Sequence, residues 1–220
     1  MTGSTPYKSY TRSAQLADSA AHIAGVTCGL AGTVALMMTA APGGTLVVLG
    51  AVLYAIGLLS MLSLSAAYNL WPPSPTKEIL RRFDHAAIFV MIAGTVTPFV
   101  MNRVGGAWGF GLLAGVWSVA LLGVGMKIIF PRRWEMLSIA LYVGLGLSIL
   151  IVGDQLARVI APSSLILLVA GCVIYLVGIV FHLWERLPFQ NALWHWLVLT
   201  AAGLHFGAII QEVAASTVAQ

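Results

Sequence analysis

The sequence predicts an all-α integral membrane protein, a seven-transmembrane helix bundle with its N-terminus in the cytoplasm and its C-terminus outside. Composition, the spacing of apolar runs and the placement of cations carry that expectation. Of 220 residues, 60% are hydrophobic and only 8% are charged, and the mean hydropathy is +0.95. A soluble fold of this size would need far more charge to cover its surface.

A helix that crosses the hydrocarbon core needs about 20 apolar residues. Runs of that kind occupy 16–41, 45–70, 79–101, 107–129, 134–152, 163–183 and 191–214. The first is too long for a signal-peptide core and lacks a convincing cleavage site, so it is expected as a mature helix. Turn formers separate it from the second at Pro42-Gly43-Gly44, and the second from the third at Pro72-Pro73-Ser74-Pro75. Within the third, Pro98 removes one backbone hydrogen bond, and the hydroxyls of Thr95 and Thr97 stand close enough to bond the freed carbonyl. Gly105-Gly106 precedes the fourth run, Pro131 the fifth, Pro162 the sixth and Pro188 the seventh. The expected division is a cytoplasmic tail over 1–15, a bundle over 16–214 and an outer tail over 215–220.

Orientation follows from the eleven Lys and Arg. Lys8, Arg12, Lys77, Arg81, Arg82, Lys127, Arg132, Arg133 and Arg186 all fall on one side, and only Arg103 and Arg158 fall on the other. The pI of about 9.3 is therefore a topology signal. Basic residues spread over loops make no nucleic-acid footprint. Trp71, Trp134, Trp184, Trp194 and Trp196 at the same helix ends, with Trp108 opposite, fit an interfacial aromatic belt. Gly25 with Gly29, and Gly203 with Gly207, place small residues where helices can approach. Cys28 and Cys172 fall near mid-helix and are expected as buried small apolar residues.

Polar residues gather at the basic side. Asp18 and His22 open the first run, Asn69 closes the second, Asp84 and His85 open the third, His182 closes the sixth, and Asn191 and His195 open the seventh. Ser65 lies one turn deeper than Asn69. At 1.5 Å per residue these fit a layer on the order of 10 Å thick, where four helices could line one chamber. Snorkelling and capping groups also occupy such positions, and Asp18 and His182 are assigned to that ordinary class. The pairs Ser65/Asn69 and Asn191/His195 go further, because residues four apart share a helix face. Asp84, His195 and Ser65 are the leading site candidates, with His22 and His85 as further pocket residues.

The segments Ala17-Asp18-Ser19-Ala20-Ala21-His22 with Gly25, Ser65-Ala66-Ala67-Tyr68-Asn69, Phe83-Asp84-His85-Ala86-Ala87-Ile88-Phe89 through Ala93-Gly94-Thr95-Val96-Thr97-Pro98-Phe99, and Ala192-Leu193-Trp194-His195 resemble hemolysin III proteins. These belong with the adiponectin and progestin receptors and, more distantly, the alkaline ceramidases. The resemblance implies a zinc ion held by three His, one closing a Ser-x-x-x-His in the second run and two spaced four apart in the seventh. It also implies a water beside it that Asp84 orients or deprotonates, with Ser65 in support.

The sequence departs from that pattern at two of the three ligands. Asn69 and Asn191 stand where His is expected, leaving His195 alone. A carboxamide is a neutral, hard donor unsuited to zinc, so the expectation is a degenerate site. His195, Asp84 and His22 are the alternative ligand set. Three functions follow: a lipid-pocket protein of membrane homeostasis or sensing, a metal-dependent hydrolase of a membrane-lipid amide using Asp84 and Ser65, or a pore. The first is favoured, with membrane lipids as partners, a bacterial inner membrane as the location and no confident cofactor. A pore is least supported, since the polar layer stops at the inner third of the membrane. The chain carries no Cys-x-x-Cys, phosphate-binding loop, dinucleotide fingerprint or Ser-centred hydrolase elbow.

Overall fold

The computed structural model describes residues 11–184 and 186–218, and every regular element among them is helical. In chain order these are α1 (Arg12–Ala40), α2 (Thr45–Leu70), α3 (Pro75–Phe99), α4 (Gly106–Ile129), α5 (Glu135–Leu147), α6 (Gly153–Val159), α7 (Pro162–Leu183) and α8 (Gln190–Val218). A π-helical stretch, Val100–Val104, prolongs α3, and a 3₁₀ stretch, Ser148–Val152, joins α5 to α6. Among the described residues the result is seven spans long and apolar enough to cross a membrane. Helices α1 and α8 reach into the expected tails at both ends. The rest of those tails, 1–10 with Lys8 and 219–220, lies outside the described residues.

Local chemistry sets the helix starts. The Thr11 hydroxyl accepts a hydrogen bond from the Ala14 amide (3.3 Å), and the Ser74 hydroxyl accepts one from Lys77 (3.3 Å) with Pro75 opening α3; each cap satisfies an amide that lacks an intrahelical acceptor. The α3–α4 corner needs φ of 59° at Gly105 and 61° at Gly106, which only glycine adopts freely.

The spans pack around α3, which contacts α2, α4, α5 and α8, while α1 lies against α2 and α8, and α7 against α8. Helices α2 and α3 meet backbone to backbone. A Cβ on Gly57 would stand 2.9 Å from the Val90 carbonyl oxygen, and one on Gly94 would stand 2.9 Å from that of Leu53. Tyr54, Phe89, Phe99, Leu36 and Ile209 fill the fully buried core.

Charges are tied down at both ends of the bundle. At the basic end, Lys127 of α4 donates to Glu135 of α5 (2.5 Å), Arg81 bonds both Glu135 and Glu78, and Arg132 bonds Glu78. That network joins α3, α4 and α5. At the far end, Glu212 of α8 is only 2% exposed; it accepts from Arg103 (2.8 Å) and from the Ala161 amide at the start of α7 (3.1 Å). A buried carboxylate persists only when partnered in this way.

Four local expectations are corrected. The Thr95 and Thr97 hydroxyls bond the carbonyls of Met91 and Ala93, four residues back, instead of the one freed by Pro98. Cys28 is exposed on the outer face of α1, because its position on the helix lies away from the Gly25/Gly29 stripe that meets Leu62. Cys172 is only half-buried. Gly203 meets no neighbour, whereas Gly207 faces Leu167.

Gly57→Ala and Gly94→Ala should each destabilise the bundle by about 1–3 kcal/mol, the cost of overpacking a tight contact. Gly111→Ala, whose Cβ would meet nothing within 4 Å, should be neutral or stabilising. Thermal unfolding of the three variants in detergent checks this, and equal melting shifts would contradict the backbone contact.

Candidate functional site

At the basic end of the bundle, α1, α2, α3 and α8 present their polar residues to one another. Asp18 and His22 are one turn apart on α1, as are Ser65 and Asn69 on α2 and Asn191 and His195 on α8, so each pair shares a face of its own helix. His195 Nδ1–H donates to Asp18 Oδ1 (2.5 Å), and Asn191 Nδ2–H donates to Asp18 Oδ2 (3.0 Å). Asn191 also donates to Asn69 Oδ1 (3.3 Å), and Asn69 donates to the Ser65 carbonyl oxygen (2.9 Å) and hydroxyl (3.4 Å). One hydrogen-bonded chain thus runs from His195 to Ser65 through α8, α1 and α2. Ser65 and Asp84 of α3 border the same cavity.

The two Asn residues hold the middle of that chain because a carboxamide both donates and accepts. Asp18 can only accept while ionised, so Asn191 must turn its NH₂ toward it, and Asn69 must then present its oxygen to Asn191. Imidazoles at 69 and 191 could not donate two bonds from one nitrogen as Asn191 does.

One sequence reading changes here. Asp18, assigned to ordinary interface residues, is the acceptor that joins α1 to α8. The signal is present in the sequence, since Asp18 and His22 have the same four-residue spacing as the pairs on α2 and α8. His22 is buried, 6% exposed, with its Nε2 lacking a hydrogen-bond partner and lying 3.7 Å from Asp18 Oδ2; its ring sits 4.4 Å from that of His195. Tyr142 of α5 is the residue that sequence reasoning misses altogether. Its hydroxyl donates to the His85 carbonyl oxygen (2.8 Å), an interaction without a sequence pattern.

Asp84 is 13% exposed, and His85 turns its Nδ1 toward the Arg81 carbonyl (2.8 Å) rather than into the chain of bonds. His182 stacks near Trp194, with ring centroids 4.8 Å apart. His205 lies deeper, where its Nε2–H donates to the Leu168 carbonyl (3.1 Å).

These groups line the polar end of a cavity of about 1050 Å³. Asp18, Ser65, Asn69, Asp84, Asn191 and His195 all border it. Further in, its walls are mostly apolar, built from Met91, Ile92, Val96, Ile149, Leu168 and Val198, with Thr95, Cys172, Tyr175 and His205 among them. Helices α5 and α7 both face it yet barely touch each other.

A seven-span bundle with a cavity that is polar at one end and mostly apolar within defines a multi-pass membrane protein with an internal chamber. The chain belongs to the haemolysin-III related family, whose model matches residues 11–206. It is 32% identical to the "Hemolysin-3 homolog" of Bacillus subtilis (strain 168) over 91% of this chain and 95% of that one. It is 30% identical to the "Hemolysin-3" of Bacillus cereus, over 89% and 90%. The human "Monocyte to macrophage differentiation factor" is 26% identical over 71% of this chain and 67% of its own length.

The zinc that the resemblance implies does not fit the 69/191/195 positions. Two of the three donors are carboxamides, and the space between them is spanned by their own hydrogen bond. An N–H directed at a neighbour offers a metal nothing.

Asp18→Ala should leave His195 and Asn191 without their shared acceptor and lower stability by about 1–3 kcal/mol. Asn191→Ala should cost less, and the double variant should fall short of the sum, as groups in one network do. A double-mutant cycle of thermal unfolding in detergent checks this. Strict additivity would mean that Asp18 and Asn191 are not coupled.

Proposed function

We propose that this protein binds a membrane lipid in its internal cavity and acts in membrane-lipid homeostasis or sensing. It lies in a bacterial inner membrane, with the basic end of the bundle in the cytoplasm and the C-terminus outside. The observation that carries this reading is the cavity itself: a hydrogen-bonding layer at one end for a polar headgroup, and apolar walls in which an acyl chain loses no hydrogen bonds and gains burial. The loose seam between α5 and α7 gives such a chain a way in from the bilayer. The asymmetry of the cations supports the orientation.

Ser65 and Asp84, which both border the cavity, support a second reading, hydrolysis of a lipid amide, since a carboxyl facing such a pocket is placed to move a proton. The apolar inner walls argue against a continuous aqueous pore.

Purified protein should carry a stoichiometric lipid by native mass spectrometry. Gly146 borders the cavity, and a Cβ on it would meet no atom within 4 Å, so Gly146→Phe should fill the space and reduce retained lipid several-fold without lowering the yield of folded protein. Undiminished lipid in that variant would place the lipid outside the cavity. Release of fatty acid from an amide-linked lipid by the unmodified protein, absent in Asp84→Asn, would put the hydrolase reading first.

Reporters fused at the N-terminus should be active only in the cytoplasm, and those fused after Val218 only outside. An externally accessible N-terminus would invert the proposed orientation.

A further inference from the structure

We propose that Asp18, His22 and His195 form a binding site for one divalent transition-metal ion, with zinc as the ion to test. The site is distinct from the ligand set that the family resemblance implies. It keeps His195 and replaces the other two positions with residues of α1. Each of the three offers one ligand atom, and these atoms all lie within 4.8 Å of one another. Two imidazoles and one carboxylate are a donor set that zinc and ferrous iron accept, with coordination positions left open.

His22 supplies a second, independent observation. Its Nε2 is buried without a hydrogen-bond partner, on a side chain that is 5% exposed, and it lies 3.7 Å from the carboxylate that His195 already bonds. In a chain of polar groups where Asn69, Asn191, Ser65 and Asp18 each find a partner, this nitrogen stands out as a donor atom aimed at an acceptor it does not reach. A buried polar atom left unpaired is costly, and a cation between His22, Asp18 and His195 removes that cost.

The ligand atoms lie within 4.8 Å of one another, so the widest pair must close by up to about 1.5 Å to meet tetrahedral geometry. Metal–nitrogen bonds of about 2.0–2.1 Å in tetrahedral geometry hold ligand atoms about 3.3 Å apart, so the His195–Asp18 contact opens from 2.5 Å by less than an ångström. The proton His195 shares with Asp18 is released when its nitrogen takes the metal. Asn191, bonded to the other carboxylate oxygen, then orients Asp18, a supporting part that suits a carboxamide better than ligation does. Asp18 and His195 border the cavity while His22 does not, so the open position faces the chamber and ions reach it from the basic end. In this arrangement the metal also links α1 to α8.

The test uses the full-length protein in detergent with zinc as the only ligand, after chelator treatment and dialysis. One equivalent should bind, raise the unfolding temperature and show two imidazoles by X-ray absorption at the zinc edge. His22→Ala and Asp18→Asn should each weaken binding by at least the roughly 10–100-fold that loss of even a supporting partner costs, and His182→Ala should not. The absorption measurement needs no variant, so a misfolded mutant leaves the proposal open to refutation. No bound zinc, a single imidazole in the absorption spectrum, or equal loss in His182→Ala would each overturn it. None of these outcomes depends on a lipid occupying the cavity, and a protein that retains lipid without metal would sustain the lipid reading alone.

Discussion

Within a bilayer there is no water to complete a hydrogen bond, so every polar group carried into the bundle must find its partner on another part of the chain. That constraint organises the basic end. Asp18 is the pivot, because a carboxylate accepts several bonds and thereby fixes which way its neighbours turn. It orients Asn191, Asn191 orients Asn69, and Asn69 faces Ser65. Three helices, α1, α2 and α8, are tied in one register by these short side chains. The cavity opens beside this packed set, where α5 and α7 both face it yet barely touch each other.

The far end meets the same constraint differently. Glu212 gathers Arg103 and the Ala161 amide into a compact cluster, beside a smaller pocket of about 390 Å³ lined by Arg103, Trp108 and Arg158. Long cation and long anion pair directly, whereas Asp, Ser and Asn need intermediates.

Much of this is legible in the sequence. Seven apolar runs become seven spans because hydropathy reports directly on the cost of burying the backbone in lipid, and the polar layer shows as matched i,i+4 pairs on α2 and α8. The third pair, Asp18 and His22, obeys the same rule but lies at a helix entrance, where an acidic residue is ordinary. Only its partners distinguish it, and those are more than 170 residues away in sequence. Tyr142 is illegible for a similar reason: a lone tyrosine in an apolar run carries no period, and its role exists only through the carbonyl it meets. The outward position of Cys28 reflects helix rotation, which hydropathy cannot resolve in a span that is apolar all round.

The burial of α3 has a consequence for how this sequence can drift. With α2, α4, α5 and α8 against it, its residues answer to neighbours of fixed shape, and an exchange there demands a compensating exchange elsewhere. The outer faces of α4 and α7, where Leu121, Leu122, Ile166 and Val180 are exposed, answer only to lipid tails, which accept any apolar side chain. Divergence between relatives should therefore accumulate on those two helices as free exchange among Leu, Ile, Val and Phe, while α3 changes seldom and in step with its partners.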